Sequence, residues 1–301
     1  MRKLEGKVAF ITGSSRGFGL AIARAFAREG AAVVISARSE PTVRAAIEML
    51  HGQGARVSGI VADVGDFAQA QRLATHARQT FGRIDIWVNN AGESGVYGPT
   101  AAIAPDRYQS IVRTNILGVY HGSIAAIHTF QAQGGGGKLI NMLGRGDDGK
   151  VPLYQNAYAP TKAWVRAFTR GLAREYKDSG IGVYALNPGL MDTEFLRKVE
   201  AISGYEDRLA PLSAVIRLWG NPPSVPAEEA VYLASSATDG KTGVERRVIG
   251  PRLIMGGVIK EGVRILLRRP APDTSLTVTT IPAYTMPALE PEPARTDVTG
   301  G

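Results

Sequence analysis

Tyr158 and Lys162 stand four residues apart, a spacing that sets a phenol and an ammonium on one face of a helix. An unperturbed phenol titrates near pH ~10, and a neighbouring positive charge favours its ionised form. Such a group can give a proton to a carbonyl oxygen or take one from an alcohol. Taken alone, Tyr-x-x-x-Lys is a common pattern and usually a surface pair, so its meaning depends on what surrounds it. A second constellation opens the chain: Thr12-Gly13-Ser14-Ser15-Arg16-Gly17-Phe18-Gly19. A short apolar run precedes it and a helical pattern follows at once. Glycines there permit a tight turn and a close backbone approach, and the start of a helix adds partial positive charge. This is a cradle for a pyrophosphate. Other chemistry is excluded. The chain has no cysteine, hence no disulfide, thiolate metal site or cysteine nucleophile, and its four histidines (His51, His76, His121, His128) show no metal-ligand spacing, so no metal is expected.

The elements that must position these groups are legible as alternating patterns. Strand-length apolar runs at Lys7–Thr12, Ala32–Ala37, Arg56–Ala62, Ile84–Asn89, Lys138–Leu143, Ile181–Asn187 and Val244–Ile249 alternate with helical patterns. Those helices are Gly17–Gly30, Thr42–Gln53, Phe67–Phe81, one or two over Pro105–His128, Ala157–Ser179 and Ala227–Ser235. Repeated βα units demand right-handed crossovers and a parallel sheet covered on both faces. The predicted fold is therefore α/β, a Rossmann-like doubly wound parallel sheet of about seven strands. It forms a single domain over 1–250, with an extension over 251–301. Pro160 is tolerable only in the first turn of its helix.

At this point the chain resembles the short-chain dehydrogenase/reductase family. Thr12–Gly19 matches TGxxxGxG, Asn89-Asn90-Ala91-Gly92 matches NNAG, and Tyr158-Ala-Pro-Thr-Lys162 matches YxxxK. Asn115 lies in a helix as the family's asparagine does, and Asn187-Pro188-Gly189 with Thr193 matches the segment at the nicotinamide end. The resemblance implies an oxidoreductase that interconverts a small carbonyl compound and a secondary alcohol. Tyr158 would be its acid/base, Lys162 its activator and a ribose ligand, and Asn115 the support. The cofactor contacts it implies are Gly13, Ser15, Arg16, Gly17, Phe18, Gly19, Asn90, Ala91, Gly92, Pro188, Gly189 and Thr193, with Asp63 and Val64 at the adenine. The second apolar run ends Ser36-Ala37-Arg38-Ser39 without an acid for a ribose 2′-OH, so Arg38 and Arg16 together favour NADP(H) over NAD(H).

One family feature is missing. The serine expected after the fifth strand falls on Gly144 or Arg145, and no Ser or Thr occurs from Lys138 to Ala157. Arg145 is the candidate replacement; Tyr154, Asn156, a backbone N–H or water are others. The bland reading makes Arg145-Gly-Asp-Asp-Gly149 a polar turn with an internal ion pair. Two alternatives to the reductase stay open: a cofactor-binding protein with little redox activity, and an enzyme that uses the cofactor internally, as in epimerisation or dehydration.

Leu190–Pro226 is long for a connection and reads as a lid, its apolar and aromatic residues suggesting a fairly apolar substrate. Val258–Arg269 reads as a basic amphipathic helix suited to subunit packing rather than lipid. From Pro270 the chain reads as a Pro-rich extended or disordered tail. The net charge of +8 is dispersed and suits an anionic small ligand, with no nucleic-acid motif. No leader peptide and no apolar stretch of ~20 residues is present, so a cytoplasmic protein without an integral membrane segment is expected. By family resemblance it would form a homodimer or homotetramer.

Overall fold

The structure is a computed structural model and describes residues 2–134, 136–248 and 251–287. The first half alternates strictly: β1 (Val8–Ile11), α1 (Gly17–Arg28), β2 (Ala32–Ala37), α2 (Glu40–Gly52), β3 (Val57–Val61), α3 (Phe67–Phe81) and β4 (Ile86–Asn89). A short β5 (Val96–Tyr97) precedes α4 (Pro105–Val112), a π-helical turn at Arg113–Leu117, and α5 (Gly118–Ala132). Then come β6 (Lys138–Met142), α6 (Ala159–Glu175), β7 (Gly182–Asn187), α7 (Glu194–Arg197), β8 (Lys198–Ile202), α8 (Ala210–Trp219) and α9 (Ser224–Ala234). The chain continues through β9 (Glu245–Arg247), α10 (Pro251–Leu266) and β10 (Thr277–Ile281). Ile249, the predicted end of the last strand, and the tail beyond Pro287 lie outside the described residues.

Seven strands form one parallel sheet in the order β3-β2-β1-β4-β6-β7-β9, the doubly wound architecture expected. Strand periodicity explains its two faces. Ala9 and Ile11 enter one core with Phe26 of α1, Leu50 of α2 and Val231 of α9. Phe10, between them, points the other way, to Leu73 of α3, Phe130 of α5 and Leu172 of α6. Its ring stacks on Trp87 of β4 at 4.4 Å between centroids. Each such fully buried side chain contributes about 1.5–3 kcal/mol, which is why these strands are continuous apolar runs. The strand order reverses beside β1, and that reversal opens a crevice at the carboxyl edge of the sheet.

Three further features bear on the sequence reading. Residues 190–226, read as a lid, hold α7, β8, α8 and the start of α9. The run after Pro270 is extended, but it is not a free tail: Thr277–Ile281 pairs in parallel with Lys198–Ile202, and β5 pairs on the other side of β8. The β-branched run Thr277-Val-Thr-Thr-Ile281 supplies the propensity. Helix α6 begins at Ala159, so Pro160 sits at its second position, where its missing N–H costs nothing. Among the described residues, no helix is long and apolar enough to cross a membrane.

Candidate active site

The motifs of the sequence converge on the carboxyl edge of the sheet. Gly13 has φ +61°, and a Cβ on it would lie 2.7 Å from the Ala91 Cα, so only glycine fits between the two loops. A Cβ on Gly19 would strike the Gly13 carbonyl and the Asn90 side-chain amide. Asn90 fastens the arrangement: its Nδ2 donates to the Thr12 and Gly13 carbonyls at 3.0 Å each. The Asn90 and Ala91 N–H groups donate to Thr12 Oγ1, also at 3.0 Å. Phe18 is buried under α1, Ser15 is half-buried, and Gly17 (φ +56°) is exposed at the helix start. Arg16 precedes α1 in extended backbone, and no side chain caps the leading N–H groups. These free donors and the close-drawn glycines fit a pyrophosphate.

The flanking residues are arranged around that turn. Ser14 ties it to β2, donating its N–H to the Ser36 carbonyl at 2.9 Å and accepting the Ser36 N–H at 3.1 Å. Two residues on, Arg38 is exposed and enters no ion pair among the described residues. Arg16 does not join it, because its guanidinium meets Glu194 of α7 at 3.1 Å, bridging the turn to the 190–226 segment. Asp63 accepts the Gly65 N–H at 2.8 Å. Val64 is buried against Gly118 at the start of α5. Beyond β7, Pro188 is buried, Gly189 (φ +71°) donates its N–H to Asn187 Oδ1 at 3.0 Å, and Thr193 is buried at the head of α7.

Asn115, Tyr158 and Lys162 are brought together over β4 and β6. Asn115 is fully buried in the π-helical turn, a distortion common at functional sites. Its amide clasps the Glu93 backbone in both directions, accepting the N–H at 2.8 Å and donating to the carbonyl at 2.9 Å, and it reaches Thr161 Oγ1 at 3.3 Å. Lys162, 4 % exposed, donates from Nζ to the Met142 carbonyl at 3.1 Å, with its charge 5.8 Å from the centre of the Tyr158 ring. A Cβ on Gly92 would lie 3.5 Å from Asn115 Oδ1 and 3.9 Å from Lys162 Nζ, so Gly92 lines the same space. The Tyr158 hydroxyl has no hydrogen-bond partner among the described residues; Phe195 of α7 packs edge-on to its ring at 6.1 Å.

The position opposite that hydroxyl is Gly144, where a Cβ would overlap the Tyr158 oxygen. Arg145, the candidate replacement, follows it directly. Its side chain is exposed and makes no hydrogen bond or ion pair among the described residues. Asn156 is engaged elsewhere, donating to Thr100 Oγ1 at 3.1 Å. The turn has no internal ion pair either. Asp147, 4 % exposed, pairs with Arg247 of β9 at 2.6 Å and accepts from Asn187 Nδ2 at 3.0 Å, while the same amide holds the Gly144 carbonyl at 3.2 Å. Sequence reading missed this role, because Asp147 and Arg247 are a hundred residues apart and only the β7–β9 pairing brings them together.

Electrostatics follow from burial and Asp147. Burial, with the Asp147 charge adding, pushes the Tyr158 phenol above its ordinary value. Burial pulls Lys162 down to about 8, against the Asp147 charge. The expected lowering of the phenol by Lys162 is thus absent in the protein alone, where desolvation outweighs an ammonium whose bond goes to Met142. Tyr158 carries its proton at neutral pH, and Lys162 is poised to lose its own just above it.

The chain is similar to known proteins. Residues 7–203 match the short chain dehydrogenase family. The oxidoreductase UcpA of Salmonella typhimurium is 33% identical over 270 residues, 88% of this chain and 99% of that protein. A 3beta-hydroxysteroid dehydrogenase 1 of Eggerthella lenta is 35% identical over 259 residues, 84% of this chain and 96% of that protein. A gluconate 5-dehydrogenase of Burkholderia cenocepacia, crystallised with NADP and tartrate, superposes with a TM-score of 0.73 at 30% identity, covering 84% of this chain and 97% of that one. With the motifs in family order on the family's sheet, the chain belongs to the short-chain dehydrogenases and is an oxidoreductase.

Proposed function

We propose that the protein is an NADP(H)-dependent reductase that converts a fairly apolar ketone to a secondary alcohol, with Tyr158 as the proton donor. The observation that carries this is the Tyr158 hydroxyl, protonated at neutral pH, unpartnered, and held beside Lys162 over a residue with no side chain to compete for it.

The residues present fit the nucleotide. The uncapped start of α1 and the Gly13–Gly19 turn suit the pyrophosphate, with Asn90, Ala91 and Gly92 lining the crevice beside it. By the family resemblance, Asp63 and Val64 would hold the adenine, and Pro188, Gly189 and Thr193 the nicotinamide end. Arg38, without an ion pair among the described residues, is available to a 2′-phosphate, and the nearest acid in the sequence, Glu40, is occupied by Arg44 at 2.6 Å. The solved relative from Burkholderia cenocepacia was crystallised with NADP. When bound, NADPH supplies the hydride for the carbonyl carbon.

The protein's own part is the proton. Tyr158 donates it to the carbonyl oxygen as negative charge develops there, and the Lys162 ammonium stabilises the phenolate left behind. Asn115 fixes the Glu93 backbone and Thr161, which fixes the approach to Lys162. Loss of the family serine removes one polarising donor, which costs about 10²–10³ in rate where a donor acts as in an oxyanion hole. That reading makes this enzyme depend on Tyr158 more than its serine-bearing relatives do. The aromatic lining supports an apolar, ring-bearing substrate. Phe195 faces Tyr158, and Tyr154 packs edge-on to Tyr97 at 5.6 Å and to Tyr205 at 5.0 Å. The similarity to a 3beta-hydroxysteroid dehydrogenase agrees. The 190–226 segment covers the substrate, and the family's homodimeric or homotetrameric assembly is part of the same reading.

The test is NADPH oxidation against a panel of ketones, with Tyr158→Phe alongside. Turnover by the native protein and its loss in the variant are expected. Tight NADPH binding without turnover on any ketone would overturn the reductase and leave a cofactor-binding role.

A further inference from the structure

Helix α10 is packed inside out. Two positions on one face meet α8: a Cβ on Gly257 would strike the Leu218 carbonyl and lie 2.9 Å from Trp219 Cδ1, and Glu261 bonds Arg217 at 3.1 Å; on the same face Arg264 bonds Glu261 at 2.8 Å within α10. Positions 257, 261 and 264 fall within one narrow arc at 3.6 residues per turn. The opposite face carries Met255, Val258, Ile259, Val263 and Leu266, spaced i, i+3, i+4, i+8 and i+11, and these are 48–81% exposed. Small polar contacts therefore fill the inward side, and an apolar stripe about 17 Å long faces outward.

Charge decides what covers the stripe. From Pro251 to Arg269 the sequence has five basic residues (Arg252, Lys260, Arg264, Arg268, Arg269) and one acid, Glu261. Glu261 is spent inward on Arg217 and Arg264. Arg268 and Arg269 are exposed past the helix end and enter no ion pair among the described residues. A second copy of the same stripe would bring like charges together with no acid to meet them. The geometry points to an anionic lipid surface as the occupant: α10 lies in the plane of the membrane interface, its stripe among the acyl chains and Arg268 and Arg269 on the headgroups. Subunit packing, the occupant favoured from sequence, is the competing reading. It has a consequence for the site, because α10 packs on α8 and β10 pairs with β8, so the lipid-facing helix is joined to the segment beside Phe195.

The test uses the full chain, sedimented with phosphatidylcholine vesicles with and without phosphatidylglycerol. Binding to the anionic vesicles alone is expected, weakened by added salt. Leu266→Glu should reduce it at least about tenfold. Arg268→Gln and Arg269→Gln should each reduce it about fivefold. All three residues are exposed, so the melting temperature should not move. No binding to anionic vesicles overturns the proposal, as does equal binding to neutral ones or binding indifferent to Leu266→Glu. If light scattering shows that Leu266→Glu splits an oligomer of a protein that ignores vesicles, the stripe is a subunit interface instead.

Discussion

Lys162 makes the active site a measurable burden on the fold. Its ammonium is 4 % exposed and burial holds it down to about 8, against an ordinary 10.5. At about 1.4 kcal/mol per pH unit, the charged lysine costs the folded state about 3 kcal/mol. Lys162→Met keeps the apolar stem and removes the charge, but leaves the Met142 carbonyl without its donor, a loss of about 1 kcal/mol. The cofactor-free variant should therefore be inactive yet more stable than the native protein by about 2 kcal/mol at pH 7, with Tm higher by roughly 4–6 °C. The lowered folded-state value fixes the pH course. Below pH 8 lysine is protonated both folded and unfolded, and the penalty is complete. Between about 8 and 10.5 only the unfolded chain holds the proton, so the native protein gains stability as pH rises and the gap closes. Urea unfolding of both proteins at pH 7 and pH 9.5 measures this. A variant less stable than the native protein at pH 7, or a gap that ignores pH, would refute the reasoning.

Other outcomes follow from neighbouring geometry. Asp147→Asn removes the negative charge that holds Lys162 up, so the pH at which that gap begins to close should fall below about 8; the same titrations should show about 1–2 kcal/mol lost from the pair with Arg247, which is only partly shielded at 36% exposure. Arg38→Asp should shift preference from NADPH toward NADH by about 10–100-fold in kcat/KM, and an unchanged preference would remove Arg38 as the phosphate ligand. Gly144→Ser, which places a serine at one of the two positions where the family's would fall, should lower kcat by about tenfold or more, because its Cβ overlaps the Tyr158 hydroxyl; a gain in rate would contradict the packing described.

What was legible in the sequence was local or periodic. The two-faced strands around Phe10 and Ile11, the glycine turn at 13–19 and the four-residue step from Tyr158 to Lys162 each carry their physics within a few residues. What was not legible depends on distance or on competition between terms. The Asp147–Arg247 pair needs the sheet to close before it exists, so its turn looked self-contained. The Thr277–Ile281 strand was hidden by prolines that bound it rather than break it. The Arg16–Glu194 pair likewise joins residues that only the fold brings together. The upward push on the phenol in the protein alone was not legible, because proximity to an ammonium is visible in spacing, whereas desolvation is not.

The central claim, proton donation by Tyr158 to a carbonyl reduced by NADPH, is tested most directly by isotope. NADPH deuterated at its reactive ring carbon is incubated with a ketone and with native or Tyr158→Phe protein, and the product is read by mass spectrometry and NMR. The account predicts deuterium retained on the carbinol carbon, and a rate lower by about 10²–10⁴ in the variant at undiminished NADPH affinity. A variant as fast as the native protein, or a label that washes out to solvent, would contradict it.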